Sequence, residues 1–199
     1  DMHHHEVLAN GVRLHYVHAG KGPPLVLLHG WPEFWLTWEP VIVRLAHRFQ
    51  LIVPDLRGFG ASEKPSAVPS ADAGPDVHAA DLAALIETLG LARVGLVGHD
   101  VGAFVGQAFA RKWPERLTGL CFFNCAHPGI GARWAEPGHL KEIWYQSFHQ
   151  MPWAASLIGA SRETCTTYIA HFLRHWAGRK DAFDAVLETW VDNFMQPGN

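Results

Sequence analysis

Residues 94–104, "VGLVGHDVGAF", set one aspartate between two glycines, where an apolar run meets a helical pattern. The stretch Gly98-His99-Asp100-Val101-Gly102 has the steric form of a nucleophile elbow. Glycines at its edges let strand and helix approach closely, and the central residue is left exposed on a strained turn. The usual central residue is serine, whereas Asp100 implies different chemistry. A carboxylate is ionised near neutral pH and attacks carbon directly, with no base needed to remove a proton. Its natural target is a tetrahedral carbon bearing a leaving group, which gives an ester on the protein. An aspartate capping the following helix is the plainer reading, and Gly-x-Asp-x-Gly alone favours it. The neighbouring segments shift the balance.

The first of these is "LLHGWPEFWLTW", Leu27 to Trp38. His29-Gly30-Trp31-Pro32 follows a buried strand, so its loop opens at the same carboxyl edge as Asp100. Backbone N–H groups there and at Val101 can form an oxyanion hole. An aspartyl ester needs one when water attacks its carbonyl.

Several elements must position these groups. His5 to Ala19 alternates around Asn10-Gly11 and reads as a hairpin. "PPLVLLHG" (23–30), "FQLIVPDLRGFG" (49–60), "ARVGLVGHD" (92–100) and "LTGLCFFN" (117–124) are continuous apolar runs, expected as four buried strands. Helices are expected over 36–47, 76–89 with Gly90 as its stop, and 102–112, with a surface loop over 64–76. Strands alternating with helices imply right-handed crossovers and a mainly parallel, doubly wound α/β sheet. After His127 no further strand is expected, only helices near 137–150, 161–176 and 181–195, with Ser161 as an N-cap. The division is a core over 1–127 and a helical lid over 128–199.

The chain has 199 residues, 48% of them hydrophobic and 18% charged, with a formal charge of −3, as expected for a globular protein with a substantial core. There is no basic excess to suggest nucleic acid or an anionic membrane as partner. No apolar run is long enough to span a bilayer, and no signal peptide is expected. Cys121, Cys125 and Cys165 lack metal-type spacing and read as reduced, mostly buried thiols of a cytoplasmic protein. Of the fourteen histidines, His3-His4-His5 are merely adjacent, and His171 and His175 form an i, i+4 pair without the glutamate of H-E-x-x-H. No metal and no cofactor are expected.

His29-Gly30-Trp31-Pro32, "DLRGFGAS" (55–62) and Gly98-His99-Asp100-Val101-Gly102, in that order and spacing, resemble the epoxide hydrolase group of α/β-hydrolases over essentially the whole chain. The resemblance implies that Asp100 is the nucleophile and that the Trp31 and Val101 N–H groups are the oxyanion donors. It implies a cis Trp31-Pro32 bond, and it makes Trp31 and Trp35 walls of a pocket for a small apolar epoxide. In the lid stretch "IWYQSFHQMP" (143–152), Tyr145 falls on a tyrosine position of that group. Its phenol can donate as a ring-opened alkoxide forms.

Haloalkane dehalogenases resemble the same pattern and share the aspartate chemistry, but they usually place a tryptophan where Val101 stands. Fluoroacetate dehalogenases place arginines beside the nucleophile, where this chain has Val101 and Phe104, and favour histidine at the position of Tyr145. A catalytically inert binding protein of the same fold is the third reading. The family would continue past "FMQPGN" through a second lid tyrosine, two strands, an acid and a histidine base. Asn124 stands where some relatives carry the acid, Tyr168 is not at the second tyrosine's position, and no histidine present carries over as the base. The expectation is therefore an amino-terminal part, completed by a further segment or a second chain; oligomeric state, homodimer included, stays open.

Overall fold

The Asn10-Gly11 turn bends the chain back at once, because both residues adopt positive φ (50° and 74°) and so match the twist of a tight hairpin. Strands β1 (Met2–Ala9) and β2 (Val12–Ala19) pair antiparallel across it. Strand β2 then pairs antiparallel with β4 (Gln50–Pro54), while β3 (Pro24–Leu28), β5 (Val94–His99) and β6 (Leu117–Phe123) extend the sheet in parallel. The strand order is β1-β2-β4-β3-β5-β6. This computed structural model describes residues 1–65 and 74–199, so most of the expected 64–76 loop lies outside the described residues.

Helices cover both faces, as the near-continuous apolar runs of β3 and β4 require. On one face α2 (Pro75–Thr88) and α3 (Val101–Lys112) bury Leu85, Ile86, Val105 and Phe109 against Val26, Leu28 and Leu96. On the other, α1 (Glu39–Leu45) packs Ile42 with Trp38 on Leu27, Leu51 and Val53. Gly90, at φ 68°, follows α2 as its stop.

Several expectations need correction. The helix over 36–47 is a 3-10 turn, Trp35–Trp38, followed by α1; Pro40 has no N–H and fits only the first turn of a regular helix. Strand β6 is not buried on both faces: Thr118, Cys121 and Phe123 are exposed. Among the described residues it has only β5 as a strand neighbour, which an apolar run does not reveal. The thiols are not mostly buried either, since Cys121 is exposed, Cys125 half-buried and only Cys165 buried.

The described residues divide into two compact units, Asp1–Cys125 with Gly198, and Ala126–Pro197 with Asn199. The second is helical: α4 (Pro137–Glu142), α5 (Trp144–Phe148), α6 (Ala154–Ile158), α7 (Arg162–Trp176) and α8 (Leu187–Phe194). The expected 137–150 helix is thus two short ones, and 181–186 precedes α8 as a turn and a short 3-10 helix, Asp184–Val186. Ser161 caps α7, its hydroxyl accepting the Thr164 N–H at 3.1 Å. Among the described residues no helix is long and apolar enough to cross a membrane, and no group of three His, Cys or acidic side chains is placed to hold a metal.

Candidate active site

Three strand ends build the site. Strand β5 runs into α3 through Asp100, which adopts φ 51°, ψ −113°; for a residue with a Cβ such a conformation costs about 1–3 kcal/mol. Packing holds it there. A Cβ on Gly102 would lie 2.6 Å from Leu28 Cβ, and one on Gly98 would lie 2.7 Å from the Gly102 carbonyl carbon. Only glycine lets α3 begin this close to β3 and β5. The Gly102 N–H donates to the His29 carbonyl at 2.9 Å, tying the elbow to the loop after β3.

That loop supplies the donors. The Trp31 N–H reaches Asp100 Oδ1 at 2.9 Å, and the Val101 N–H, first in α3, also hydrogen-bonds the carboxyl. The Trp31-Pro32 bond is cis. Gly30 lies against the aspartate, since a Cβ there would fall 2.9 Å from Oδ1. Burial pushes the Asp100 carboxyl above its ordinary value. The Trp31 and Val101 N–H groups and His99 pull it back only in part, and Glu33 adds to the rise.

The structure thus brings Trp31, Val101 and Asp100 together by their backbone and carboxyl groups. The Trp35 ring is placed differently. It meets His4 edge-on at 4.9 Å and packs on the cluster of Val17, Leu27 and Leu51, and the Trp35 backbone N–H donates to Asp55 Oδ1 at 2.7 Å. Tyr145 belongs to the helical unit, where its buried ring packs against Phe172, Trp176 and His149 at 5.2–5.7 Å. Nearby, His149 Nε2 and the Tyr168 hydroxyl are 2.7 Å apart. Burial lowers the His149 pKa and, with Tyr145, raises that of Tyr168.

Sequence reading missed two titratable residues. Glu33 accepts the Gly30 N–H at 2.9 Å and the Thr37 hydroxyl at 3.1 Å, and its Oε2 lies 2.9 Å from His99 Nδ1. His99 is held on its other side by Asn124, at 3.1 Å from Nε2, and by the Phe123 ring. The available signal was positional, because Glu33 comes three residues after Gly30 and His99 immediately precedes Asp100.

Comparison with known proteins agrees with this architecture. The model of the alpha/beta hydrolase fold family matches residues 23–196. A soluble epoxide hydrolase of Corynebacterium sp. (strain C12) is 48% identical over 122 residues, covering 59% of this chain and 41% of that protein. Epoxide hydrolase 4 of Homo sapiens is 32% identical over 198 residues, 95% of this chain and 54% of that protein. The chain therefore spans roughly half the length of these curated relatives. The structure of epoxide hydrolase CorEH without ligand superposes with a TM-score of 0.88 at 33% identity, covering 100% of this chain and 70% of that one. On the family match, the fold and the elbow, this chain belongs to the alpha/beta hydrolase fold family.

Proposed function

We propose that this chain carries the nucleophilic half of an epoxide hydrolase, with Asp100 as nucleophile. The observation that carries the reading is the Asp100 carboxyl itself, displayed at positive φ and held by the Trp31 and Val101 N–H groups. A carboxylate displayed this way suits attack on an alkyl carbon. The similarity to epoxide hydrolases supports an epoxide as the electrophile.

In the first step an Asp100 oxygen bonds to an epoxide carbon as the ring C–O bond breaks. The electron pair leaves on the epoxide oxygen, and the Tyr145 phenol, in the helical unit acting as a cap, gives it a proton. Water then adds to the ester carbonyl while the Trp31 and Val101 N–H groups hold the oxyanion. Collapse releases a vicinal diol and restores the carboxylate. That second step calls for a histidine base with an acid partner. No histidine of this chain is assigned to it, and the pair belongs to sequence equivalent to the relatives' further length. Trp31 and Trp35 are the proposed apolar walls for a small epoxide.

Intact-mass measurement with styrene oxide and, separately, a primary chloroalkane tests this. An epoxide adduct retains the full mass of the reagent, since ring opening expels no group. The expected result is that adduct, lost in Asp100→Ala and slowed in Tyr145→Phe. Labelling by the chloroalkane alone would make the chain a dehalogenase. No adduct from either, on a folded protein, would make it a binding protein.

A further inference from the structure

Glu33 and His99 come from elements far apart in sequence, the loop after β3 and the last residue of β5. Their side chains meet at 2.9 Å beside Asp100, and both are largely buried, at 12% and 21% side-chain exposure. The glutamate is fixed first. Its Oε2 takes the Gly30 N–H, and its Oε1 takes the Thr37 hydroxyl. The imidazole is then pinned between Glu33 Oε2 on Nδ1 and the Asn124 amide on Nε2, with Phe123 against its ring. Gly30 is the neighbour of the donor Trp31, and His99 is the neighbour of the nucleophile. One contact therefore links the two sides of the carboxyl cradle.

We propose that Glu33 and His99 are positioning residues, an ion pair that keeps an imidazolium beside Asp100 so that the half-buried nucleophile stays a carboxylate. This deepens the reading of Asp100 as nucleophile and rests on it. Two of the groups facing His99 fit a cation there, Glu33 from the β3 loop and Asp100 next in the chain, while Asn124 after β6 sets its amide Nδ2 3.1 Å from Nε2. Among the described residues no other charge acts on it. A doubly protonated ring donates at both nitrogens, so in this state the Asn124 amide, whose Nδ2 faces Nε2 in the structure, turns over to present its oxygen. Burial opposes the charge on His99, but the Glu33 bond, the Glu33 charge and the Asp100 charge outweigh it and raise its pKa. The same contact helps lower Glu33 against its own burial. Formation of the Asp100 ester removes one negative charge from this group, so the His99 titration should drop when the ester forms.

Two measurements on the 199-residue chain test the pair. The first follows adduct formation with styrene oxide against pH. Glu33→Gln keeps an acceptor oxygen for the Gly30 N–H and turns its amide N–H₂ to the Thr37 hydroxyl but loses the charge. His99→Gln should move the alkylation onset up by about one pH unit. Glu33→Gln should move it up by less, because loss of the imidazolium is offset in part by loss of the Glu33 charge on Asp100. The second follows the His99 imidazole by NMR. Its midpoint should lie above the ordinary 6.5 in the native chain and fall in Glu33→Gln. Labelling at Asp100 with an unchanged onset in both variants overturns the pair and leaves the nucleophile reading standing. Absence of labelling defeats that reading, and the imidazole titration then decides whether the ion pair exists. A native midpoint at or below 6.5 overturns it even if the variants fail to fold.

Discussion

Asp55 and Asp100 follow two strands of the same sheet that flank β3, one after β4 and one after β5, yet they are treated in opposite ways. Asp55 is fully buried and saturated. It accepts the Trp35 N–H at 2.7 Å and the Ala61 N–H at 2.9 Å, with His15 Nδ1 at 2.8 Å and the Ser62 hydroxyl on its backbone carbonyl. Asp100 takes two backbone N–H groups, sits in a strained backbone conformation, and has its carboxyl pushed up by burial. Each also has a glycine pressed against it, Gly60 on Asp55 and Gly30 on Asp100. A carboxylate with every oxygen tied to fixed donors organises a loop. On our reading, one left under-supplied is available for chemistry.

The same substitution should therefore act oppositely at the two sites. Asp55→Asn turns an amide N–H₂ toward donors that need an acceptor, and should destabilise the chain by about 3 kcal/mol, read as a lower midpoint in chemical denaturation. Equal stability of that variant and the native chain would break the contrast.

Gly30→Ala comes next in size. Its new Cβ collides with Asp100, and overpacking of this kind costs about 1–3 kcal/mol. Because the collision displaces the carboxyl, epoxide labelling should also slow, by about tenfold or more. Gly119→Ala meets nothing within 4 Å and serves as the control, with stability and labelling unchanged.

The smallest effect is a gain. A raised Asp100 pKa means that the ionised form is penalised in the folded state. That penalty is present above the folded pKa and lifts as pH falls through it. Asp100→Asn should thus raise the melting temperature at pH 7, and the advantage should fade toward acid pH. A loss of stability at pH 7 would put Asp100 in the same structural class as Asp55.

Much of this was legible in the chain. Gly98 and Gly102 bracket Asp100 because neither position has room for a Cβ, a steric demand that leaves its mark in residue type. The Asn10-Gly11 turn and the Ser161 cap are likewise local and were readable. Pro40 did mark where a helix must start, although 36–47 reads as one apolar periodicity. Exposure of β6 was hidden because Leu117–Phe123 records apolar character, not how many neighbours cover it. The Glu33–His99 contact was hidden for a similar reason. It joins residues 66 apart, and its meaning comes from their meeting rather than from either segment.

The central claim is that the half-buried Asp100, and not the buried Asp55, is a nucleophile. Peptide mapping after exposure to styrene oxide tests it most directly. The account predicts one ester, on Asp100, with Asp55 unmodified and no ester in Asp100→Asn. An ester on Asp55, or labelling that survives in Asp100→Asn, would contradict it.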